Sequence, residues 1–179
     1  MLERRGLLLH PWQSSAANLA VRECNVTDAF SEEALGVVRQ SCVPVWSLMP
    51  FWTQRTFQVY EHPDESLVLT MFAPGAFWQP WNIYDAEENQ IAGIRGSVLF
   101  DYLGRFSGFV ESRNSSMQRI ILTRERYELA EWSGSENETR LLFRESTDED
   151  PFLRMAILGM TLVLAERYNK QPGNRSSID

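Results

Sequence analysis

From residue 53 onward, apolar and polar positions alternate in short stretches separated by turn-forming residues. Thr56-Phe-Gln-Val-Tyr-Glu61 has the two-residue period of a half-buried strand. His62-Pro-Asp-Glu65 follows, with Pro63 suited to the second position of a tight turn and Asp64 to the third. Ser66 to Phe72 reads as the returning strand, completing a β-hairpin. Trp81 to Tyr84 and Gln90 to Ile94 repeat the unit around the polar turn Asp85–Asn89. Gly93 and Gly96 mark a bulge or bend there. Further strands are expected at 97–101, 106–111, 119–123, 126–132 and 139–145, with turns at 102–104 and 133–137. Turn signals about every 8–12 residues are the mark of a β-sandwich or barrel.

The first fifty residues are less regular. Residues 1–16 read as a flexible tail and Ala17 to Cys24 as a first strand. Thr27 fits the N-cap of a short helix that sets Phe30, Ala34, Val37 and Val38 on one side, with Glu32 and Glu33 in its first turn. Val43 to Trp52 is aromatic, and Pro44 and Pro50 keep it from forming one long regular element. The expected organisation is a single domain over 17–170, closed by a disordered C-terminal tail over 171–179.

After residue 147 the period switches. Asp150 suits an N-cap and Pro151 the first helical position. Between Phe152 and Ala165 the only charged residue is Arg154. A helix apolar on every face is buried all round or lies in a membrane. The run rises only ~21 Å at ~1.5 Å per residue, whereas a bilayer core is ~30 Å thick. A buried core helix is therefore expected, and it needs a wall of strands around it. Gly159 costs the helix ~1 kcal/mol against alanine, which a close approach of that wall would offset.

Composition narrows the function. The 179 residues carry a net charge of −7, which repels nucleic-acid phosphates. Cys24 and Cys42 have no zinc spacing and read as reduced thiols in a cytoplasmic protein. Arg4-Arg5 before Leu7–Leu9 is too short an apolar run for a signal peptide. His10 and His62 have no evident partner, and no nucleophile elbow, phosphate loop or zinc-protease motif occurs. The acid pairs Asp64/Glu65 and Glu87/Glu88 fall in turns and read as solvated. Trp46, Trp52, Trp78 and Trp81 read as packing in the core or at a barrel end. The chain is thus expected to be no enzyme and to need no cofactor.

Phe57 to Thr70, the Trp81-Asn-Ile-Tyr-Asp-Ala-Glu-Glu-Asn-Gln-Ile91 unit and the terminal apolar helix resemble the phospholipid scramblase-like and LURP-one-related family, which shares the tubby C-terminal fold. The likeness covers roughly residues 53–168, and Glu88 or Asn89 replaces the family's turn glycine. It implies a mainly β (α+β) fold, a closed antiparallel β-barrel of about twelve strands around a central hydrophobic C-terminal helix. It also implies a non-enzymatic binding domain whose unidentified partner is a lipid or a protein. The alternative is a membrane-associated scramblase-like protein whose C-terminal helix inserts. No transmembrane span and no nucleic-acid partner are expected; the location is cytoplasmic, with peripheral membrane contact left open. The nearest approach to a basic ligand-binding patch is Arg119, Arg124 and Arg126. Asp148 and Asp150 stand where scramblases place a proposed calcium segment, but they lack the EF-hand pattern and suit helix capping.

Overall fold

The computed structural model describes residues 1–14, 21–44, 53–73, 80–112, 119–124, 127–134 and 138–169. Among them are thirteen strands and one α-helix. The N-terminal strands are β1 (Gly6–Leu9), β2 (Gln13–Ser14), β3 (Val21–Asp28), β4 (Ala34–Pro44), β5 (Thr53–Glu61) and β6 (Ser66–Ala73). Then come β7 (Trp81–Asp85), β8 (Gln90–Arg95), β9 (Val98–Asp101) and β10 (Phe106–Ser112). β11 (Arg119–Arg124), β12 (Tyr127–Gly134) and β13 (Thr139–Phe143) complete the sheet, and α1 spans Pro151–Asn169. The hairpins expected from residue 53 onward are present, as is the terminal helix.

The fold is mainly β, one antiparallel sheet with a C-terminal helix. From β2 to β13 each strand pairs with the next in sequence, and β1 pairs with β13 on one side and β3 on the other. β1 and β2 are successive parts of one interrupted strand. Leu9 faces Val26 and Gln13 faces Glu23, so the first strand carries one extra residue at the break. Pro11, which has no N–H to give a ladder, sits in that break. Register shifts interrupt five of the other ladders. Each adds local twist and curls the sheet.

Alternation puts one side of β1, β3 to β9, β12 and β13 into a shared core. Gln40, Phe57, Met71, Ile83 and Ala92 are successive cross-strand partners over five strands, and all are buried. Cys24, Val38, Val59 and Leu69 form a parallel buried row. The helix packs on these rows. Ala156 through Val163 are buried without a break, more than two turns, so every face of that part of α1 is covered. A Cβ on Gly159 would lie 2.7 Å from Ile83 Cδ1 and 3.2 Å from Met71 Sδ, so the wall does come close there. No helix among the described residues is long and apolar enough to cross a membrane.

Two charged side chains of α1 are buried near its ends. Glu166 accepts hydrogen bonds from Gln40 Nε2 at 3.1 Å and Arg55 Nη1 at 3.0 Å. Arg154 donates to the carbonyls of Thr147, Leu2 and Arg4 and pairs with Asp148. Its guanidinium also lies 5.0 Å from the Phe143 ring centre.

The opening of the chain departs from expectation. Residues 6–9 are not a tail: Leu7 and Leu9 are buried between β13 and β3. Nor does Thr27 start a helix. Asp28 Oδ1 accepts from the amides of Phe30 and Ser31, and the Asp28 carbonyl accepts from Glu32 N, which makes a tight turn between β3 and β4. The turn is locally helical, and the apolar spacing beyond it mimicked a helix period. Val37 and Val38 instead pair with Asn25 and Cys24, as β-branched residues favour. Phe30, expected on one helix face with Val37 and Val38, is 66% exposed while both valines are buried. Trp81 is in the core, while Trp46, Trp52, Trp78 and the 171–179 tail lie outside the described residues.

Candidate functional site

The turns after β7 and β9 are built alike. Each strand ends in an aspartate whose Oδ1 gathers the amides that follow. Asp85 accepts from Glu87 N at 3.0 Å and Asn89 N at 2.8 Å. Asp101 accepts from Leu103 N at 2.9 Å and Arg105 N at 2.8 Å. Both turns close by the aspartate amide donating to the carbonyl four residues on, Asn89 or Arg105. The fourth position is left-handed in both, φ +65° at Glu88 and +75° at Gly104. Glycine fills that position after β9 and glutamate after β7.

Because β8 pairs with β9, the two turns stand side by side, and the first turn of α1 packs against them. Together they border a cleft of about 740 Å³. Its base includes the buried side chains of Ala92, Leu99 and Ala156. Its mouth carries three large rings that remain accessible, Tyr102 at 63%, Phe152 at 52% and Phe106 at 49%. Half-exposed rings around a concave surface are the feature that distinguishes a binding cleft from ordinary surface.

Three carboxylates and one guanidinium line the cleft: Asp85, Asp101, Asp150 and Arg105. Burial pushes the Asp85 carboxyl up, but the Asn89 side chain and the amides of Asn89 and Glu87 outweigh it and hold it below the ordinary range. Asp101 behaves likewise: burial raises it, while the amide and guanidinium of Arg105 and the amide of Leu103 bring it lower. Arg105 Nε lies 2.7 Å from Asp101 Oδ2. Asp150 Oδ1 accepts from Leu153 N at 2.9 Å and so caps α1, as expected.

Among the described residues, those singled out from sequence are not brought together at the cleft. Arg119 and Arg124 are the first and last residues of β11, about 17 Å apart at ~3.3 Å per residue. Arg126 lies outside the described residues. Asp148 is committed to Arg154 and Asp150 to the helix start. Among the described residues no three His, Cys, Asp or Glu side chains group as metal ligands. His10 Nε2 lies 3.1 Å from Thr27 Oγ1, and His62 is exposed in the β5–β6 turn. Cys24 and Cys42 are free thiols. Burial pushes the Cys24 thiol up to about 12, which leaves it inert near neutral pH.

Sequence reasoning missed the ring cluster at the cleft. One signal was available: Tyr102 and Leu103 are large apolar residues in a five-residue turn, where polar residues are usual. No protein-family model, curated protein or solved structure matches this chain.

Two expectations follow from the aspartate turns. Replacing Glu88 by glycine removes a left-handed strain and is expected to stabilise the protein by about 0.5–1 kcal/mol. Urea unfolding checks it; an unchanged or lower midpoint would show that the β7–β8 turn carries no such strain. The second concerns acid. Asp28, held low by the amides of Phe30 and Ser31, joins Asp85 and Asp101 in having a depressed folded-state value. Their stabilisation is complete above the unfolded aspartate value of about 3.9 and is lost as pH falls through the lower folded values. The urea midpoint is expected to fall below about pH 4, less steeply in Asp85→Asn. Identical acid limbs for variant and wild type would contradict this.

Proposed function

We propose that this chain is a non-catalytic binding domain of the scramblase-like and LURP-one-related type. The cleft between the β7–β8 turn, the β9–β10 turn and the start of α1 takes the apolar part of its partner. The observation that carries this reading is the set of three accessible rings, Tyr102, Phe106 and Phe152, around an apolar base. The carboxylates beside them support binding over catalysis. Asp85 and Asp101 are depressed and engaged by their own turns, and Asp150 by the helix, so each already has a structural role.

The domain reading includes a closed antiparallel barrel with α1 along its axis. Its supports are the pairing of β1 with both β13 and β3 and the unbroken burial of Ala156 to Val163. Such a scaffold fixes the cleft rigidly, because two of its three borders are tight hairpin turns and the third is the start of a buried helix.

Titration with the neutral fluorophore N-phenyl-1-naphthylamine tests the cleft without involving charge. Saturable fluorescence enhancement is expected, weakened about tenfold (about 1.4 kcal/mol) in Phe106→Ala/Phe152→Ala. Both rings are half-exposed, so that variant should fold, which circular dichroism checks. Absence of enhancement, or enhancement indifferent to the variant, would remove the cleft as the binding site.

A further inference from the structure

We infer that the cleft receives a basic, apolar peptide segment of a protein partner, in which arginine or lysine alternates with aliphatic side chains. This rests on the reading of the cleft as the binding site and adds the chemistry of what enters it. Its volume of about 740 Å³ suits a few side chains of an inserted segment.

Charge selects the occupant. Within the lining, Arg105 pairs with Asp101, and the carboxylates of Asp85 and Asp150 add two further negative charges. The wider surroundings have the same sign. The odd-numbered strands from β3 to β13 run in one direction, so the connections that follow them lie at one end of the molecule, with the start of α1. Five of those connections carry carboxylates: Asp28 to Glu33, Asp64-Glu65, Asp85 to Glu88, Asp101, and Asp148 to Asp150. The sixth, residues 125–126 after β11, lies outside the described residues. Two described cations near this end are engaged in pairs. Arg4 Nη2 lies 2.6 Å from Glu33, and Arg154 pairs with Asp148.

The rings supply the second half of the recognition. Phe106, Phe152 and Tyr102 offer faces on which a guanidinium or ammonium rests favourably, and flanks against which aliphatic chains lose contact with water. An anionic lipid surface meets repulsion at the same place, as does a nucleic-acid backbone. A peptide that is basic and apolar together satisfies both halves of the lining.

The test uses fluorescein-labelled short peptides and the whole chain, read by anisotropy. One peptide alternates leucine and arginine, a second serine and arginine, a third leucine and glutamate. The leucine–arginine peptide is expected to bind saturably, and about tenfold more weakly to Phe106→Ala/Phe152→Ala, which keeps every charge. The serine–arginine peptide should bind about tenfold more weakly to the wild type, and the leucine–glutamate peptide not at all. Equal binding of both arginine peptides, unaffected by the ring variant, would reduce the effect to general attraction by an acidic protein and overturn the inference. Preference for the glutamate peptide would also overturn it, as would flotation of the protein with phosphatidylserine vesicles lost in the ring variant. Loss of naphthylamine binding to the wild type marks failure of the cleft itself. Naphthylamine binding without peptide binding marks failure of this inference alone.

Discussion

Burial of the middle of α1 on every face is the constraint from which the other features follow. A segment such as Ala156 to Val163 has no side that tolerates water, yet its backbone hydrogen bonds are satisfied within the helix. It can therefore be surrounded completely, provided the strands give it only side chains to touch. Each fully buried leucine of α1, such as Leu158 or Leu162, contributes about 1.5–3 kcal/mol relative to exposure. The inward rows of β4 to β8 are the complementary surface, and at Gly159 the wall leaves no room for a Cβ, against Ile83 and Met71.

The helix is also pinned at its ends by charges that oppose its own dipole. Arg154 stands near the positive N-terminal end and Glu166 near the negative C-terminal end. Neither gains from the helix, so each depends on the partners around it. Glu166 meets Arg55 and Gln40 from β5 and β4, and Arg55 in turn lies 5.3 Å from the Trp81 ring centre. Arg154 gathers carbonyls of Leu2 and Arg4 from the opening segment and of Thr147 from the approach to the helix. The first residues of the chain are thereby tied to one of its last elements. Breaking one partner of a buried pair strands the other charge, which costs far more than the pair contributes. These contacts fix where α1 sits along the sheet.

Much of this was legible from local pattern. The hairpins from residue 53 carry their own information, because a two-residue alternation ends at a turn with suitable residues. Asp150 and Pro151 announce the start of α1 in the same way. What could not be read locally depended on distant partners. Leu7 to Leu9 is too short a run to announce a strand and becomes one between segments about 20 and 130 residues away. The Asp28 turn looked helical because a tight turn and a helix start use the same side-chain capping chemistry. The cleft was invisible for a related reason. Its turns could be located, but that they stand together with Phe152 follows from pairing and from the path of a helix fifty residues downstream. Arg119 and Arg124, near in sequence, stand at opposite ends of a strand.

The scaffold and the cleft thus share one cause. The same helix that is buried in its middle presents its first turn, with Phe152 and Asp150, to the two aspartate turns. The most direct test of the account is methyl NMR with a soluble paramagnetic gadolinium chelate. Methyl signals of Ile157, Leu158, Leu162 and Val163, all essentially inaccessible, should keep their intensity while those of Leu103, 59% exposed, are broadened away. Broadening of the α1 methyls comparable to that of Leu103 would show that the helix is not enclosed, and the account of both core and cleft would fall.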